Sequence, residues 1–552
     1  MTIFIFLLFY YYLFFVGRGS LILLSRLNQK HSKDINNFKS NQDVFFPIIS
    51  LFVLGNILFI LNFFLPLKST ISFFTIISIL FLFINFFDLK RVIINLENTI
   101  NHLIIPALLS ISTYGINFHG DAGMYHLNSQ LWLREEPIVF GISNITWAYG
   151  FQSIFEYISS VFWIENNFVF LHFVNIIFMV LFFTFLSKNL FQKKNNFLFF
   201  SSLFILGFGI LDNFGINGGK NGFVVFQSIG KFDMSFAIIF FISALLIFDS
   251  LKSNKFINSD FHLIIILCLF AFQLKVFGIY LILPLVYYFY FYSLNIFNLF
   301  KKIYFYLILL ILWITKSLIN TSCLIYPIEI TCIKNLEWYT AGWVEHLTKD
   351  VRIFHKSYNF DGSFLFWFSE WKSFGENNAT FINFFGSLIL LILVSFIFAK
   401  RKNIFNKVHI VFYIYVLFLI FIWLYSSPEI RFGIGIFMLI ITTIASPTEK
   451  LRNKFVKKLV NKTSLTFLII LSTFLVVRLD SYKQFIENPT IFYSINIPSI
   501  EYVQNTNSWN VVPKQNIYEC WINIDCVPAA WTTYKLKIGN NLLITSSFDS
   551  YP

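Results

Sequence analysis

One short segment carries the side chains best suited to chemistry. Residues 119–126 read His-Gly-Asp-Ala-Gly-Met-Tyr-His, so a carboxylate, a phenol and two imidazoles stand close together. A carboxylate at the start of a helix can act as a general base toward a hydroxyl or can bind a divalent cation. The local alternative is that Asp121 only caps the helix after it. We assign Asp121 the catalytic role, with Tyr125 and His126 shaping the site or binding the acceptor, and rank His119 below them.

A second set of charged residues is suited to holding a phosphate. Lys220 lies in a glycine-rich stretch, Lys275 in a tight turn between apolar runs, and Arg431 at the start of another run. Cationic side chains and bare glycine N–H groups bind phosphate oxygens. The alternatives are a flexible turn at Lys220, snorkelling of Lys275 and a local salt bridge between Arg431 and Glu429. Asp233 is a further candidate, because a carboxylate at the end of an apolar run is costly unless it is paired or used.

The composition sets the class of protein that positions these residues. The chain is 57% hydrophobic and 12% charged, whereas soluble domains are about one-quarter charged. We therefore predict an all-α polytopic membrane protein with about 12 to 14 transmembrane helices. The apolar runs lie near 2–16, 46–66, 70–88, 101–115, 167–187, 197–213, 232–250, 260–274, 277–296, 302–319, 380–399, 407–425, 430–446 and 464–478.

The distribution of charge predicts which loops face outward. Basic residues concentrate in alternate short loops, and such loops stay in the cytoplasm. We therefore interpret the net charge of +13 as membrane topology and exclude a nucleic-acid partner. Residues 2–16 are interpreted as a retained span, and residues 150–164 as an interfacial or re-entrant helix. The long polar segments then lie outside: 116–166, 214–231, 320–379 and 479–552.

Four of the five cysteines form two close pairs in the predicted outer segments. Cys323 and Cys332 share one loop, and Cys520 and Cys526 share the tail. Close pairs on the oxidising side of a membrane favour disulfides. A zinc site is the alternative, but these spacings differ from the usual short knuckles. We expect a disulfide between Cys520 and Cys526, and the sequence leaves any metal unknown.

The predicted organisation has two parts. Residues 1–478 form a transmembrane domain with outer loops at 116–166 and 320–379, and residues 479–552 form a small extracytoplasmic cap. Alternating apolar and polar residues near 531–538 indicate some β structure in this cap.

The layout resembles the GT-C superfamily of membrane glycosyltransferases. More narrowly, Asp121, Tyr125, His126 and Leu127, with Trp132 after them, are similar to the D-x-x-x-Y-H-L…W signature of a bacterial multi-span family without a settled activity. Further similar stretches follow in the same order: Lys275 in an apolar segment, Trp313 to Pro327, Ser427 to Phe432, and Cys520-Trp521 with Cys526 and Pro528. Lys316 departs from this pattern, since it stands where that family usually has arginine.

The resemblance implies an inverting glycosyltransferase in a bacterial cytoplasmic membrane, with its active face extracytoplasmic. A polyprenyl-phosphate sugar would place its phosphate near Lys275 and Arg431, and Asp121 would deprotonate the acceptor during envelope glycan synthesis or modification. A divalent cation would assist, as in some members of that superfamily. The alternatives are a transporter or flippase for a lipid-linked or small substrate, and an envelope glycan polymerase or ligase.

Overall fold

A computed structural model describes most of the chain, and helices dominate it. The described residues are 1–27, 42–86, 96–164, 167–192, 196–213, 227–254, 256–340, 342–358, 362–374, 377–398, 407–447, 479–504, 511–514, 516, 518–527, 533–538 and 541–546. In chain order the α-helices are α1 (Thr2–Leu27), α2 (Phe46–Asn62), α3 (Leu67–Phe86), α4 (Leu96–Thr99), α5 (Ile105–Ser110), α6 (Leu127–Glu135), α7 (Ile154–Ser160), α8 (Val169–Gln192), α9 (Asn196–Asn213), α10 (Asp233–Ser253), α11 (Asn258–Leu274), α12 (Ile282–Phe291), α13 (Ile296–Thr321), α14 (Trp343–Phe354), α15 (Phe364–Ser373), α16 (Asn377–Phe398), α17 (Lys407–Ser426), α18 (Ile430–Ala445) and α19 (Leu479–Glu487).

Many of these helices are apolar over a length that suits a bilayer. Within the described residues, six are long and apolar enough to cross one: Thr2–Leu23, Asp43–Asn62, Val169–Leu190, Asp233–Ser253, Leu299–Thr321 and Lys407–Ser426. Shorter apolar helices lie at Phe197–Gly209, Asn258–Leu274, Val276–Phe291, Phe384–Ile397 and Ile430–Ala445. The chain is therefore a largely helical protein of the polytopic membrane class. The predicted run at 464–478 lies outside the described residues.

The predicted span at 101–115 is not one continuous α-helix. A π-helix at Ile100–Ile104 precedes α5, and a 3₁₀ turn follows it. Pro106 has no N–H with which to bond the carbonyl of His102 four residues earlier. The hydroxyl of Tyr11 donates to that carbonyl instead, at 2.9 Å. Pro106 thus interrupts the helical hydrogen bonds here, and Tyr11 of α1 supplies the donor that the carbonyl of His102 lacks.

Helix α10 lies at the centre of the bundle. It is buried along nearly its whole length, and it packs against α8, α11, α17 and α18. A helix that is apolar on every face is expected in such a position. The first residue of α10, Asp233, is therefore placed at one end of the bundle core, where α11 ends and α18 begins.

The tail contains short strands, as its alternating residues predicted. Strand β1 (Tyr502–Gln504) pairs antiparallel with β2 (Val511–Pro513), and β3 (Thr533–Ile538) pairs antiparallel with β4 (Asn541–Ser546). Strand β4 also bonds to the first predicted outer loop, because Phe140 N–H donates to Leu542 and Ile544 N–H donates to Phe140, each at 2.9 Å. The tail is therefore attached to the loop that carries the candidate residues.

Candidate functional site

Two loops that are distant in sequence are bonded to each other at one end of the bundle. The N–H of His119 donates to the carbonyl of Ile229 at 2.9 Å. Gly230 has a φ of +93°, and a Cβ added there would lie 2.6 Å from the Cβ of Ala122. Only glycine combines that backbone conformation with such a close approach. This contact brings the segment around Ala122 beside the start of α10 at Asp233.

The carboxylate of Asp121 faces three polar side chains. It stands directly before a π-helix, Ala122–His126, but makes no capping bond through its side chain. Its Oδ1 lies 3.3 Å from Nδ1 of His119, and its Oδ2 lies 3.4 Å from the Tyr125 hydroxyl and 3.9 Å from Nη1 of Arg431. The local capping role is therefore not the one this side chain plays.

The surroundings of Asp121 keep it ionised. Burial acts to raise the pKa of Asp121, but His119, His126 and Lys231 outweigh it and lower the pKa to about 2. The pKa of Tyr125 is shifted upward instead, because burial and the negative charge of Asp121 raise it well above the ordinary value. The phenol therefore remains protonated and donates its hydrogen bond to Asp121.

Through Glu429 and His355, Arg431 connects Asp121 to the predicted outer loop at 320–379. Its Nε lies 2.8 Å from Oε1 of Glu429, and the other oxygen of Glu429 lies 2.9 Å from Nδ1 of His355, just after α14. Burial acts to raise the pKa of Glu429, yet His355 and Arg431 lower it below the ordinary value. The local salt bridge considered for Arg431 is thus present, and the same guanidinium also faces Asp121.

Lys275 lies in the same region, because α11 ends just before it. Its ammonium forms an ion pair with Asp233, whose other oxygen accepts from Gln227 at 3.3 Å. The Lys275 ammonium and the Arg431 guanidinium each lie 4.8 Å from the centre of the Phe432 ring. The two predicted phosphate ligands therefore share one aromatic neighbour.

Lys231 supplies a third cation. Burial and Arg431 lower its pKa, while Asp121, Asp233 and Glu429 act in the opposite direction. We define the ionic cluster as Asp121, Lys231, Asp233, Lys275, Glu429 and Arg431. Its carboxylates and cations are equal in number, so an arriving anion must take the place of a carboxylate rather than enter a surplus of positive charge.

The two histidines of the opening motif have different surroundings. His126 is 7% exposed, and its Nδ1 bonds to Glu156 of α7, whose other oxygen accepts from Gln130 at 2.6 Å. The side chain of His119 is 37% exposed and touches Asp121 directly. His126 therefore supports the site from within the protein, whereas His119 is accessible to solvent.

The tail packs on the π-helix that follows Asp121. The predicted disulfide Cys520–Cys526 is formed, and so is Cys323–Cys332. The N–H of Trp521 donates to the carbonyl of Gly123 at 2.8 Å. A Cβ added to Gly123 would lie 2.5 Å from Cε2 of Trp521. The disulfide loop thus packs an indole ring against Gly123, where any larger side chain would clash with the ring.

The remaining candidates lie elsewhere. Lys220 is outside the described residues. Lys316 is 2% exposed, and its ammonium lies 4.1 Å from the centre of the Tyr157 ring, so it is not part of the ionic cluster. Within the described part of the chain, no three His, Cys, Asp or Glu side chains are grouped so that they could hold a metal ion.

A groove of about 760 Å³ lies between α6 and the tail. Its lining is mostly apolar and includes Leu131, Ile500 and Ile522. No member of the ionic cluster lines it. The ionic cluster and the groove are therefore separate features.

Sequence reasoning did not assign four residues that the structure places at the site. Lys231 stood beside Gly230 in a segment from which only Lys220 and Asp233 were taken as candidates. Glu156 lies in the segment interpreted as an interfacial helix, and His355 is one of several polar residues in the predicted outer loop at 320–379. Trp521 was noted only as part of the tail. Of these, Glu156 gave the clearest signal, since a carboxylate in an apolar segment needs a partner.

Comparison with known proteins gives the family. Residues 1–438 match the family described as a domain of unknown function, DUF8201. The chain belongs to this family. Every member of the ionic cluster lies in the matched region of the DUF8201 protein, and the tail with Trp521 lies beyond it. No curated protein matches the chain, and no solved structure does.

Proposed function

We propose that this DUF8201 protein is a GT-C-like, inverting glycosyltransferase. It moves a sugar from a polyprenyl-phosphate donor to an extracytoplasmic acceptor during envelope glycan synthesis or modification. One observation carries the proposal: Asp121 lies 3.9 Å from Arg431, whose guanidinium shares the Phe432 ring with Lys275. A base beside two phosphate-binding cations is the arrangement that such a transfer requires.

The proposed reaction uses Asp121 as general base. The acceptor hydroxyl gives its proton to the carboxylate while its oxygen bonds to the anomeric carbon. The bond between that carbon and the phosphate oxygen breaks, and the configuration inverts. Lys275 and Arg431 stabilise the negative charge that develops on the leaving phosphate.

Donor binding strengthens this base. The cluster is electrically balanced, so the donor phosphate replaces a carboxylate at a cation. The contact between Arg431 and Asp121, at 3.9 Å, is longer than that between Arg431 and Glu429, at 2.8 Å. The phosphate therefore displaces Asp121, whose affinity for a proton rises beside the new negative charge.

The proposal includes a membrane setting. In this proposal about 12 to 14 helices cross a bacterial cytoplasmic membrane, and the ionic cluster faces outward by the positive-inside rule. A divalent cation enters only as a further partner of the donor phosphate. The cluster carboxylates of the described chain are already paired with cations, and Lys275 and Arg431 supply the positive charge at the phosphate.

The experiment uses purified protein in liposomes with a panel of polyprenyl-phosphate sugars and candidate acceptors. Mass spectrometry follows release of polyprenyl phosphate and formation of the glycoside. We expect Asp121→Asn to abolish both while the protein stays folded. Asp350→Asn is the matched control, because Asp350 also pairs with an imidazole, His346 at 3.1 Å, but lies exposed on α14. Full activity of Asp121→Asn would remove Asp121 from the role of base.

Transport or lipid flipping is the second candidate. A buried polar cluster at the opposite end of the bundle favours it: Asp43 pairs with Lys188 and lies 3.1 Å from His102, which bonds to Tyr10 at 2.8 Å. Ionisable groups inside membrane proteins often mark transport paths. Movement of labelled lipid between leaflets without a new glycosidic bond would favour this candidate. A ladder of products of increasing length would instead indicate a polymerase, and transfer of a preassembled glycan a ligase.

A further inference from the structure

The imidazole of His119 has two partners, and both belong to Asp121. The backbone N–H of Asp121 donates to Nδ1 of His119 at 3.1 Å. The carboxylate oxygen Oδ1 of Asp121 lies 3.3 Å from the same nitrogen. One residue thus offers both a donor and an acceptor to a single ring atom.

A ring nitrogen cannot use both partners at once. It carries either a lone pair, which accepts a hydrogen bond, or a proton, which donates one. The neutral ring with its proton on Nε2 accepts from the amide. The imidazolium donates from Nδ1 to the carboxylate. The two contacts therefore require two different protonation states of Nδ1.

The neighbours of the Asp121 carboxylate leave His119 as the group suited to receive a proton. Arg431 and Lys231 are cationic donors without an acceptor atom, and Tyr125 already donates to the carboxylate. The remaining neighbour, His126, is buried and has its Nδ1 bonded to Glu156. Among these described groups, His119 combines direct contact with Asp121 and contact with solvent.

The space beside this pair is open. A Cβ added at Gly120, between the two residues, would meet nothing within 4 Å. The side chain of His119 is 37% exposed. Water can therefore reach the imidazole while it remains in contact with the carboxylate.

We propose that His119 carries the proton from Asp121 to solvent, a role that rests on the proposed glycosyl transfer. The acceptor hydroxyl protonates Asp121, and the proton passes from Oδ1 to the lone pair of Nδ1. The resulting imidazolium gives its Nε2 proton to water. Exchange with water then removes the proton from Nδ1 and returns one to Nε2, so that the neutral ring again accepts from the Asp121 amide. The hydrogen bond from the imidazolium favours the ionised form of Asp121, so the carboxyl group does not keep the proton.

Two substitutions separate this role from a structural one. In His119→Asn, the side-chain oxygen can accept from the Asp121 amide but cannot carry a proton onward. In His119→Ala, a space remains that free imidazole can enter. We expect both variants to fold and to transfer sugar about 100-fold more slowly, the lower end of the usual contribution of a proton-transferring group, and added imidazole to restore much of the rate of His119→Ala.

Two control variants test whether the effects are specific to His119. His346→Ala removes a partly exposed imidazole of α14, which lies outside the ionic cluster, and should keep the wild-type rate with or without imidazole. His126→Ala opens a buried site and should not be restored by imidazole. Wild-type activity of His119→Asn, or no response of His119→Ala to imidazole, would overturn the relay.

A second measurement needs no substrate. In protein labelled with ¹⁵N-histidine and held in lipid nanodiscs, the His119 signals are identified by their loss in His119→Asn. At alkaline pH we expect Nδ1 to bear the lone pair and Nε2 the proton. The opposite tautomer would overturn the relay. The expected tautomer, without glycosyl transfer in the liposome experiment, would reject the proposed function and with it the proton route, while leaving the two-state contact intact.

Discussion

The guanidinium of Arg431 lies closer to Glu429 than to Asp121, at 2.8 Å and 3.9 Å respectively. The longer contact lies beyond hydrogen-bond distance, so it is an ion pair without a shared proton. In the proposed mechanism it is the contact that breaks first when the donor phosphate arrives, so the pKa of Asp121 would depend on whether Arg431 holds a phosphate.

Replacing Arg431 by lysine should weaken binding of a polyprenyl phosphate. Lysine keeps the charge, but its single ammonium cannot hold Glu429 and a phosphate in the same planar arrangement. Loss of one charge-assisted hydrogen bond corresponds to about 10-fold to 100-fold weaker binding. Titration of the protein in nanodiscs with polyprenyl phosphate measures the change. Arg352→Lys, on the surface of α14 above the Tyr425 ring, is the matched control and should bind normally.

Removing Lys275 should destabilise the bundle through Asp233. The Asp233 side chain is 8% exposed, and Lys275→Met leaves its charge without the main partner. Breaking such a buried pair costs about 3 kcal/mol. Unfolding in graded SDS measures the loss. Adding Asp233→Asn should recover much of it, because the uncompensated charge is then gone.

An exposed pair provides the comparison for this experiment. Lys68 and Glu135 lie 2.8 Å apart, with side chains 59% and 36% exposed. Lys68→Met should cost less than about 1 kcal/mol. Equal losses of unfolding free energy for Lys68→Met and Lys275→Met would contradict a larger contribution from the buried Lys275–Asp233 pair.

Gly123→Ala should disturb the tail. The added methyl group would lie 2.5 Å from the Trp521 ring, so the indole or the π-helix must move. Overpacking of this kind costs about 1 to 3 kcal/mol. Limited proteolysis should cut the tail faster in Gly123→Ala and at the normal rate in Gly120→Ala, where the methyl group meets open space. In a Trp521→Ala background the effect of Gly123→Ala should shrink, and an unchanged effect would exclude the indole as its cause.

The pH dependence of stability should reveal Asp121 only in acid. The pKa of Asp121 is lowered from 3.8 to about 2, so its ionised form stabilises the fold. That contribution is complete above the unfolded value of 3.8 and is lost as the pH falls toward 2. The difference in melting temperature between wild type and Asp121→Asn should therefore be constant near neutral pH and shrink in acid. A difference that shrinks near pH 6 would point to a histidine instead.

Much of the site was predictable because membrane burial makes charge conspicuous. Asp121, Asp233, Lys275 and Arg431 interrupt long apolar stretches or stand at their ends, and all four meet in the ionic cluster. The same physical reason explains why most helices were located closely. Apolar runs of this length are typical of membrane-spanning helices.

The rest depended on contacts between distant segments. No local pattern pairs Gly230 with Ala122, or Trp521 with Gly123, because each contact is set by the packing of two separate loops. The π-helix after Asp121 was also not predicted. A sequence pattern can indicate that a stretch is helical, but it does not show whether the hydrogen bonds follow α-helical or π-helical spacing. The helix α6 that follows it was expected and is present.

The indole of Trp521 has a consequence for how the protein matures. Ribosomes produce residue 521 after every helix of the bundle, and the disulfide loop must then fold back to reach the carbonyl of Gly123. The segment behind Asp121 therefore lacks one of its packing partners throughout synthesis. In the proposed topology, the segment that carries the proposed base is complete only after the last loop has crossed the membrane and its disulfide has formed.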